Sequence, residues 1–123
     1  MSIAVDIAGL ADAVAQFNLA YLLTVGTDGR AHAIASRPQL AEGRFTLTGL
    51  GRRSRGNVGQ RPAVTLLWPP RDADGYSLIV DGDATLVDDV LTITPTRAVL
   101  HRPGPSPDPN SSCTSDCMEL PLA

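Results

Sequence analysis

Apolar and polar positions along this chain follow two different periods. Near the N-terminus Ile7, Leu10, Val14 and Phe17 recur at helical spacing. This spacing predicts a short amphipathic helix over residues 6–18, with Asp6 as its N-cap. Farther along, compact apolar or alternating runs bounded by turn residues are typical of strands. The predicted strands are residues 19–25, 31–36, 43–49, 63–68, 76–89 and 91–95, with 97–101 as a continuation of the last.

The segments between these strands define the fold class. An Asp-Gly turn in "GTDGR", residues 26–30, predicts a β-hairpin between the first two strands. A helix of about two turns is expected before Pro62, and the strand of residues 76–89 is expected to bend near Gly82. The connections are too short for repeated crossover helices, so the pattern gives poor support to a doubly wound α/β fold. We therefore predict a mainly β domain, a six-stranded antiparallel barrel with one or two short helices.

The composition changes near residue 102. The segment "RPGPSPDPNSSCTSDCMELPLA" is rich in Pro, Ser and Asp and offers little apolar surface to bury. We expect a folded domain over residues 1–102 and a tail over residues 103–123. In the tail, Cys113 and Cys117 form a Cys-x3-Cys pair. They are either incidental cysteines or part of a redox or metal-linked role that needs further ligands.

Charge and length exclude several classes of function. The chain has 123 residues and a formal net charge of −3, whereas general nucleic-acid binding usually requires a basic domain face. No apolar run approaches the length of a membrane span. The first residues lack the positive charge that opens a signal peptide, so a cytoplasmic protein is expected.

The positive charge is concentrated in one stretch, "GLGRRSRGNVGQRPAV", residues 49–64, which holds Arg52, Arg53, Arg55 and Arg61. Glycines at positions 49 and 51 allow main-chain N–H groups to approach a ligand closely. The helix expected from Arg52 would point its unsatisfied N–H groups and the positive end of its dipole at the same turn. Together with the arginines and the Ser54 hydroxyl, this arrangement suits a phosphate.

Two other interpretations of this stretch remain open. The arginines can form a solvated helix face paired with some of the chain's many aspartates, or they can lie along nucleic-acid phosphates. The second interpretation has no aromatic stacking platform to support it. The stretch is neither a P-loop nor a dinucleotide fingerprint, because it lacks both glycine patterns.

The order of the segments carries a family resemblance. The succession "LLTVGTDGRAHAIASR", "GRFTLTG", "RRSRGNVGQRPAVTLLW" and "YSLIVDGDATLV" resembles the pyridoxamine 5′-phosphate oxidase-like superfamily of FMN-binding split β-barrels, over about residues 18–90. The resemblance implies a homodimer that binds FMN at the subunit interface. It implies a flavin-dependent oxidoreductase acting on a small molecule. A deazaflavin (F420)-dependent reductase and a non-catalytic flavin or haem carrier are the alternatives among relatives of this size.

The resemblance also implies which residues hold the flavin. Basic residues at the end of the second strand and at the start of the following helix would hold the phosphate, and the strand before the turn would contact the flavin. His32, earlier on the second strand, would be a weaker, pH-dependent phosphate partner. The implied cofactor residues are Arg37, Thr48, Gly51, Arg52, Arg53, Ser54 and Arg55.

The sequence departs from the family at two places. A glutamine that meets the flavin ring from the neighbouring subunit falls near Tyr76 or Ser77. The C-terminal arginine and histidine that recognise pyridoxal substrates are replaced by the Pro/Ser tail, so oxidation of pyridoxamine phosphate is not expected. No nucleophile–base pair is evident, as befits a protein whose cofactor performs the chemistry.

Three further residues are candidates for a role. His32 and His101 are the histidines through which haem could bind, although a lone histidine is more often structural. Trp68, at the end of its predicted strand, is expected in the core or in a dimer interface.

Overall fold

The computed structural model of this chain describes residues 2–104, and this part is built around one antiparallel sheet of eight strands. The strands are β1 (Ser2–Ala4), β2 (Ala20–Val25), β3 (Ala31–Ser36), β4 (Gln39–Ala41), β5 (Arg44–Thr48), β6 (Ala63–Trp68), β7 (Ser77–Val87) and β8 (Val90–His101). The helices are a 3₁₀ turn (Ile7–Gly9), α1 (Leu10–Val14) and α2 (Arg52–Gln60).

The predicted fold class is confirmed, and the structure adds detail to the strand count. Strands run in the order β3-β2-β6-β7-β8-β5-β4, and β1 pairs with β8. Six of the eight correspond to the predicted strands. The other two, β1 and β4, have only three residues each, too few to show a period of two in the sequence. Strands β3 and β5 are far apart in this order and yet line a common cleft, so the sheet is curled into a split barrel.

The N-terminal helix is shorter than the apolar spacing predicts. Residues 7–9 form a 3₁₀ turn and only residues 10–14 are α-helical, before two i→i+3 hydrogen bonds end the segment at Phe17. Asp6 does cap this start, because its Oδ1 accepts the N–H of Gly9 at 2.8 Å. Leu10 is fully buried and packs this short helix against the barrel core.

The bend expected near Gly82 is a β-bulge in the ladder between β7 and β8. The register shifts between Asp81 and Gly82, and Pro95 lies opposite Gly82 on β8. A proline within a sheet is tolerated at a bulge, where its missing N–H costs no regular ladder bond. The bulge therefore lets β8 continue as one strand through Pro95 to His101, which joins the predicted segments 91–95 and 97–101.

The core lies on the inner face of the curled sheet. It is built from leucine, valine and isoleucine, with Phe45 fully buried and Trp68 only 2% exposed. The two rings are tilted at 46° with centroids 5.5 Å apart, a favourable aromatic arrangement. Of the two expected positions for Trp68, the structure shows the core.

Candidate functional site

The stretch from β5 to α2 has the geometry that the sequence predicts. β5 ends at Thr48, Gly49 takes a left-handed conformation with φ 72°, and α2 begins after the extended Gly51. A side chain at position 49 would be strained at this φ, which explains the glycine. No side chain in the described part of the chain caps the start of α2. The first N–H groups of this nine-residue helix are therefore left for other partners.

Helix α2 is fixed to the sheet by one buried face. Ser54 is 1% exposed and Val58 is 4% exposed. Asn57, one residue before Val58, donates from Nδ2 to Oγ1 of the fully buried Thr24 at 3.0 Å. This bond ties the helix to the C-terminal part of β2, beside the hairpin turn that leads into β3.

Replacing Asn57 with alanine is expected to lower the free energy of unfolding by about 1 kcal/mol, because the buried Thr24 hydroxyl loses its partner. Chemical denaturation of the protein without added ligand measures this change. Gln60→Ala, at an exposed position of the same helix, is the control and should change stability by less than about 0.5 kcal/mol. Equal effects of the two substitutions would contradict the role of the Asn57–Thr24 bond.

The arginines around α2 do not share one environment. Arg55 donates from Nη1 to Oδ1 of Asp89 at 2.6 Å and from Nη2 to the carbonyl of Asp88 at 3.4 Å. At this position the structure shows the aspartate pairing that was one interpretation of the stretch. Arg52 and Arg53 are exposed and make no such contact among residues 2–104.

Arg53 lines a cleft of about 560 Å³ that we call the arginine cleft. The hairpin turn, the start of β3 and one side of α2 form its walls. It brings Arg53 together with His32, as the resemblance implies for a phosphate site, and it adds Arg30. Its lining residues are Gly26, Thr27, Asp28, Arg30, Ala31, His32, Arg53 and Asn57.

Arg30 is a candidate that the sequence analysis missed. It closes the Asp-Gly hairpin turn, where its N–H donates to Oδ1 of Asp28 at 3.0 Å and its Nε lies 3.9 Å from Oδ2. Both side chains are well exposed, so this ion pair is weak and leaves the guanidinium available to an anion. The sequence did contain an indication of this role. Arg30 stands two residues before His32, and in a tight hairpin this position places both residues at the same end of β3.

A second cleft, of about 290 Å³, lies farther along β3; we call it the threonine cleft. It brings together Arg37 and Thr48, two of the residues predicted to contact the cofactor. Hydroxyl and amide groups that the sequence analysis did not single out also line it. Its lining residues are Ile34, Ala35, Ser36, Arg37, Gln39, Thr46, Leu47, Thr48, Gly49 and Leu50.

The predicted cofactor residues are thus divided between two clefts along one strand. Residues 31 and 32 of β3 line the arginine cleft and residues 34–37 line the threonine cleft, with no lining residue in common. Gly51, Arg52 and Ser54 line neither cleft. Gly51 and Arg52 lie in the chain between Leu50 of one cleft and Arg53 of the other, and Ser54 directly follows Arg53.

The donor set suits an anion better than a metal or a haem. The arginine cleft offers two guanidinium groups, an imidazole and an amide against one carboxylate. No group of three or more His, Cys, Asp and Glu among residues 2–104 is placed to hold a metal ion. His101 is near neither cleft and instead lies 3.2 Å from the Ser2 hydroxyl through Nδ1. Cys113 and Cys117 lie outside the described residues.

In the part of the chain that the structure describes, no helix has the length and apolar character needed to cross a membrane.

Comparison of the sequence with known proteins finds close relatives. Two uncharacterized proteins, from Mycobacterium bovis and Mycobacterium tuberculosis, are 39% identical over 132 aligned positions, which cover 93% of this chain and 93% of each relative. The chain belongs to one family with them. No protein-family model matches the sequence.

Comparison of the structure identifies the fold. A Clostridium acetobutylicum protein of the pyridoxinephosphate oxidase family superposes with a TM-score of 0.61 at 15% identity, over 75% of this chain and 84% of that one. The chain has the split β-barrel fold of this protein. The resemblance noted in the sequence is therefore confirmed for the fold.

Other split barrels of this shape are named for different cofactors. A FAD-binding protein from Mesorhizobium loti has a TM-score of 0.65 at 10% identity, over 80% of this chain and 94% of that one. An F420 reductase has a TM-score of 0.56 at 17% identity, over 65% and 87%. A heme-binding protein from Mycobacterium smegmatis has a TM-score of 0.57 at 16% identity, over 78% and 54%. The fold therefore accommodates flavin, F420 or heme.

Proposed function

We propose that this split β-barrel binds FMN and acts as a flavin-dependent oxidoreductase on a small molecule. One observation carries the proposal: Arg53, Arg30 and His32 converge on one cleft beside the uncapped start of α2. A phosphate monoester carries about two negative charges at neutral pH and accepts charge-assisted hydrogen bonds from such donors. A FAD-binding protein of the same fold supports the choice of a flavin.

In this proposal the two clefts have different tasks. The arginine cleft holds the phosphate through the guanidinium groups of Arg53 and Arg30. Arg37 and Thr48 of the threonine cleft bind polar atoms of the rest of the flavin, since both residues line a cavity of hydroxyls and amides. Gly51, Arg52 and Ser54 line neither cleft, and they contribute at longer range, through the positive end of the helix dipole and the charge of Arg52. Arg55 supports the site indirectly, because it anchors α2 to the turn between β7 and β8.

When bound, the flavin supplies electron or hydride transfer, and the residues of the chain bind and orient it. The clefts themselves contain one carboxylate, Asp28, and one histidine, His32. We assign neither to acid–base catalysis.

The test of this function is a titration of the purified protein with FMN, riboflavin, F420 and haem, followed by absorbance and fluorescence. The proposal predicts saturable binding of FMN that is tighter than that of riboflavin, because only FMN carries the phosphate. NAD(P)H or a reduced partner should then bleach the bound flavin if the protein is an enzyme, whereas a carrier would remain oxidised. Saturable binding of haem or of F420, without saturable binding of FMN, would refute the choice of FMN.

We also propose that two copies of the chain associate through the outer face of the sheet. An antiparallel sheet that faces water usually carries polar residues on its outer side. Here a row of apolar residues crosses four strands in register on that side, and Tyr21 within it is 36% exposed. The row consists of Ala35, Tyr21, Leu67 and Ile79. A second copy would cover this surface.

Leu67→Arg is expected to convert the dimer into a monomer, because it places an unpaired charge at the centre of the apolar row. Size-exclusion chromatography with light scattering measures the change. Val87→Arg is the matched control, since Val87 is 66% exposed and lies outside the row. A wild-type protein that is monomeric at all accessible concentrations, or a Leu67→Arg variant that remains dimeric, would contradict this interface.

A further inference from the structure

A third cavity, of about 590 Å³, lies away from both clefts. We call it the N-terminal cavity. Its walls are β1, the segment around α1, the loop between β6 and β7, and the end of β8. It lies near the start of β2, whereas the arginine cleft adjoins the end of that strand. Six residues of extended chain separate the two by roughly 17 Å. Its volume is within the usual range for small-molecule sites, about 300–1,000 Å³.

The floor of the N-terminal cavity is apolar. Val5, Phe17 and Leu100 line it, and Ile3 contributes a side chain that is 47% exposed. Tyr76 adds an aromatic wall, and Arg102 lies over its ring with Cζ 4.7 Å from the centroid. This face of the ring is therefore already occupied by a cation of the chain itself.

The charged groups around the cavity are predominantly acidic. Asp6, Asp12 and Asp72 line it, against the guanidinium of Arg71 in the lining and that of Arg102, which borders the cavity at Tyr76. Arg71 is engaged, since its Nη1 donates to the carbonyl of Gln16 at 3.3 Å and so joins the loop to the end of the N-terminal helix. Asp6 is also engaged, as the cap of Gly9.

Two carboxylates therefore remain for a ligand. Asp12 on α1 and Asp72 in the loop between β6 and β7 form no side-chain hydrogen bond or ion pair with any residue among 2–104. They come from two different walls above an apolar floor. The charge of this cavity is opposite in sign to that of the arginine cleft, so the phosphate of FMN would be repelled from it.

We infer that the N-terminal cavity is a binding site for a small organic cation with an apolar body, such as an arylalkylammonium compound. The ammonium group would lie between Asp12 and Asp72, and the apolar part would pack on Val5, Phe17 and Leu100. This site is independent of the flavin proposal, because it shares no residue with either cleft.

The test uses three probes of matched shape: phenylbutylamine, phenylbutanol and phenylbutyrate. In calorimetric titrations, the amine should bind at least about fivefold more tightly than the alcohol, and the acid should bind more weakly than the alcohol. Amide chemical-shift mapping should place the bound amine at the N-terminal cavity. Asp12→Asn and Asp72→Asn should each weaken binding of the amine by about three- to fivefold, as expected for solvent-accessible ion pairs. Binding of the alcohol should be unchanged in both variants. Added salt should weaken the binding of the amine and leave the binding of the alcohol unchanged.

Two further variants serve as controls. Asp83→Asn, at an exposed aspartate outside the cavity, should leave binding of the amine unchanged. Ala13→Trp should fill the cavity and abolish binding of both the amine and the alcohol, while FMN binding is retained. Equal affinity for amine and alcohol, shifts that map elsewhere, or absence of saturable binding by the amine would each overturn the inference. Because FMN is titrated separately, failure of this site is distinguishable from failure of the flavin proposal.

Discussion

Gly82→Ala is expected to destabilise the protein by about 3 kcal/mol, a lowering of the melting temperature by roughly 10–20 °C. A Cβ at this position would lie 2.6 Å from Cγ2 of Ile93 and 2.7 Å from the carbonyl oxygen of Thr94. Ile93 is fully buried and the Thr94 contact is main chain, so neither neighbour can move without disturbing the core or the bulge. Thermal and denaturant unfolding measure the loss.

Gly56→Ala provides a matched control for this substitution. Gly56 lies within α2, and a Cβ there would meet nothing within 4 Å. Because alanine favours the helix over glycine, this variant should be stabilised by up to about 1 kcal/mol. Replacing glycine with alanine is thus expected to lower the free energy of unfolding at position 82 and to raise it at position 56. Similar stabilities of the two variants would show that the close approach of β7 and β8 at Gly82 does not constrain the fold.

Arg53→Ala is the second substitution for which we expect a large effect, here on ligand binding. This substitution should weaken the binding of FMN by roughly ten- to thirtyfold, because it removes a charge-assisted contact to the phosphate. Riboflavin, which has no phosphate, should bind the variant and the wild type equally. Fluorescence titration of each flavin with each protein gives the four dissociation constants needed.

Arg61→Ala is the control for a general change of charge. Arg61 is exposed at the other end of α2 and lines neither cleft, so its removal lowers the net charge equally without touching the site. FMN affinity should therefore change by less than about twofold. Equal weakening of FMN and riboflavin by Arg53→Ala, or equal effects of the two arginine substitutions on FMN, would remove Arg53 from the phosphate site.

Much of the fold could be predicted from local pattern. Compact apolar runs and period-two alternation identified the strands that form the core, and the Asp-Gly turn identified the hairpin of β2 and β3. The strands β1 and β4 could not be predicted, because three residues are too few to show a period of two. β1 also depends on a partner distant in the sequence, β8, whereas β4 pairs with the adjacent β5 in a tight hairpin. β8 can continue through Pro95 because the bulge at Gly82 on its partner strand accommodates the proline. In the sequence by itself, a proline at this position argues against a continuous strand.

The site could be predicted less completely. The glycine turn and the cluster of arginines indicated the start of α2, but spacing along the helix cannot show which guanidinium has a partner. Arg55 pairs with Asp89 from a distant turn, and Arg30 approaches Arg53 only because the hairpin packs beside the helix. The separation of Arg37 from Arg53 into different clefts likewise depends on the curl of the sheet. That the phosphate lies in the arginine cleft remains a prediction.

Amide chemical-shift mapping of the protein with FMN and with riboflavin tests this assignment most directly. On addition of FMN, we expect the resonances of residues 26–32 and 51–54 to move, and riboflavin should leave these residues nearly unchanged. Shifts from the two flavins that are alike at the start of α2, or FMN shifts that are centred on the N-terminal cavity, would contradict the proposed phosphate site.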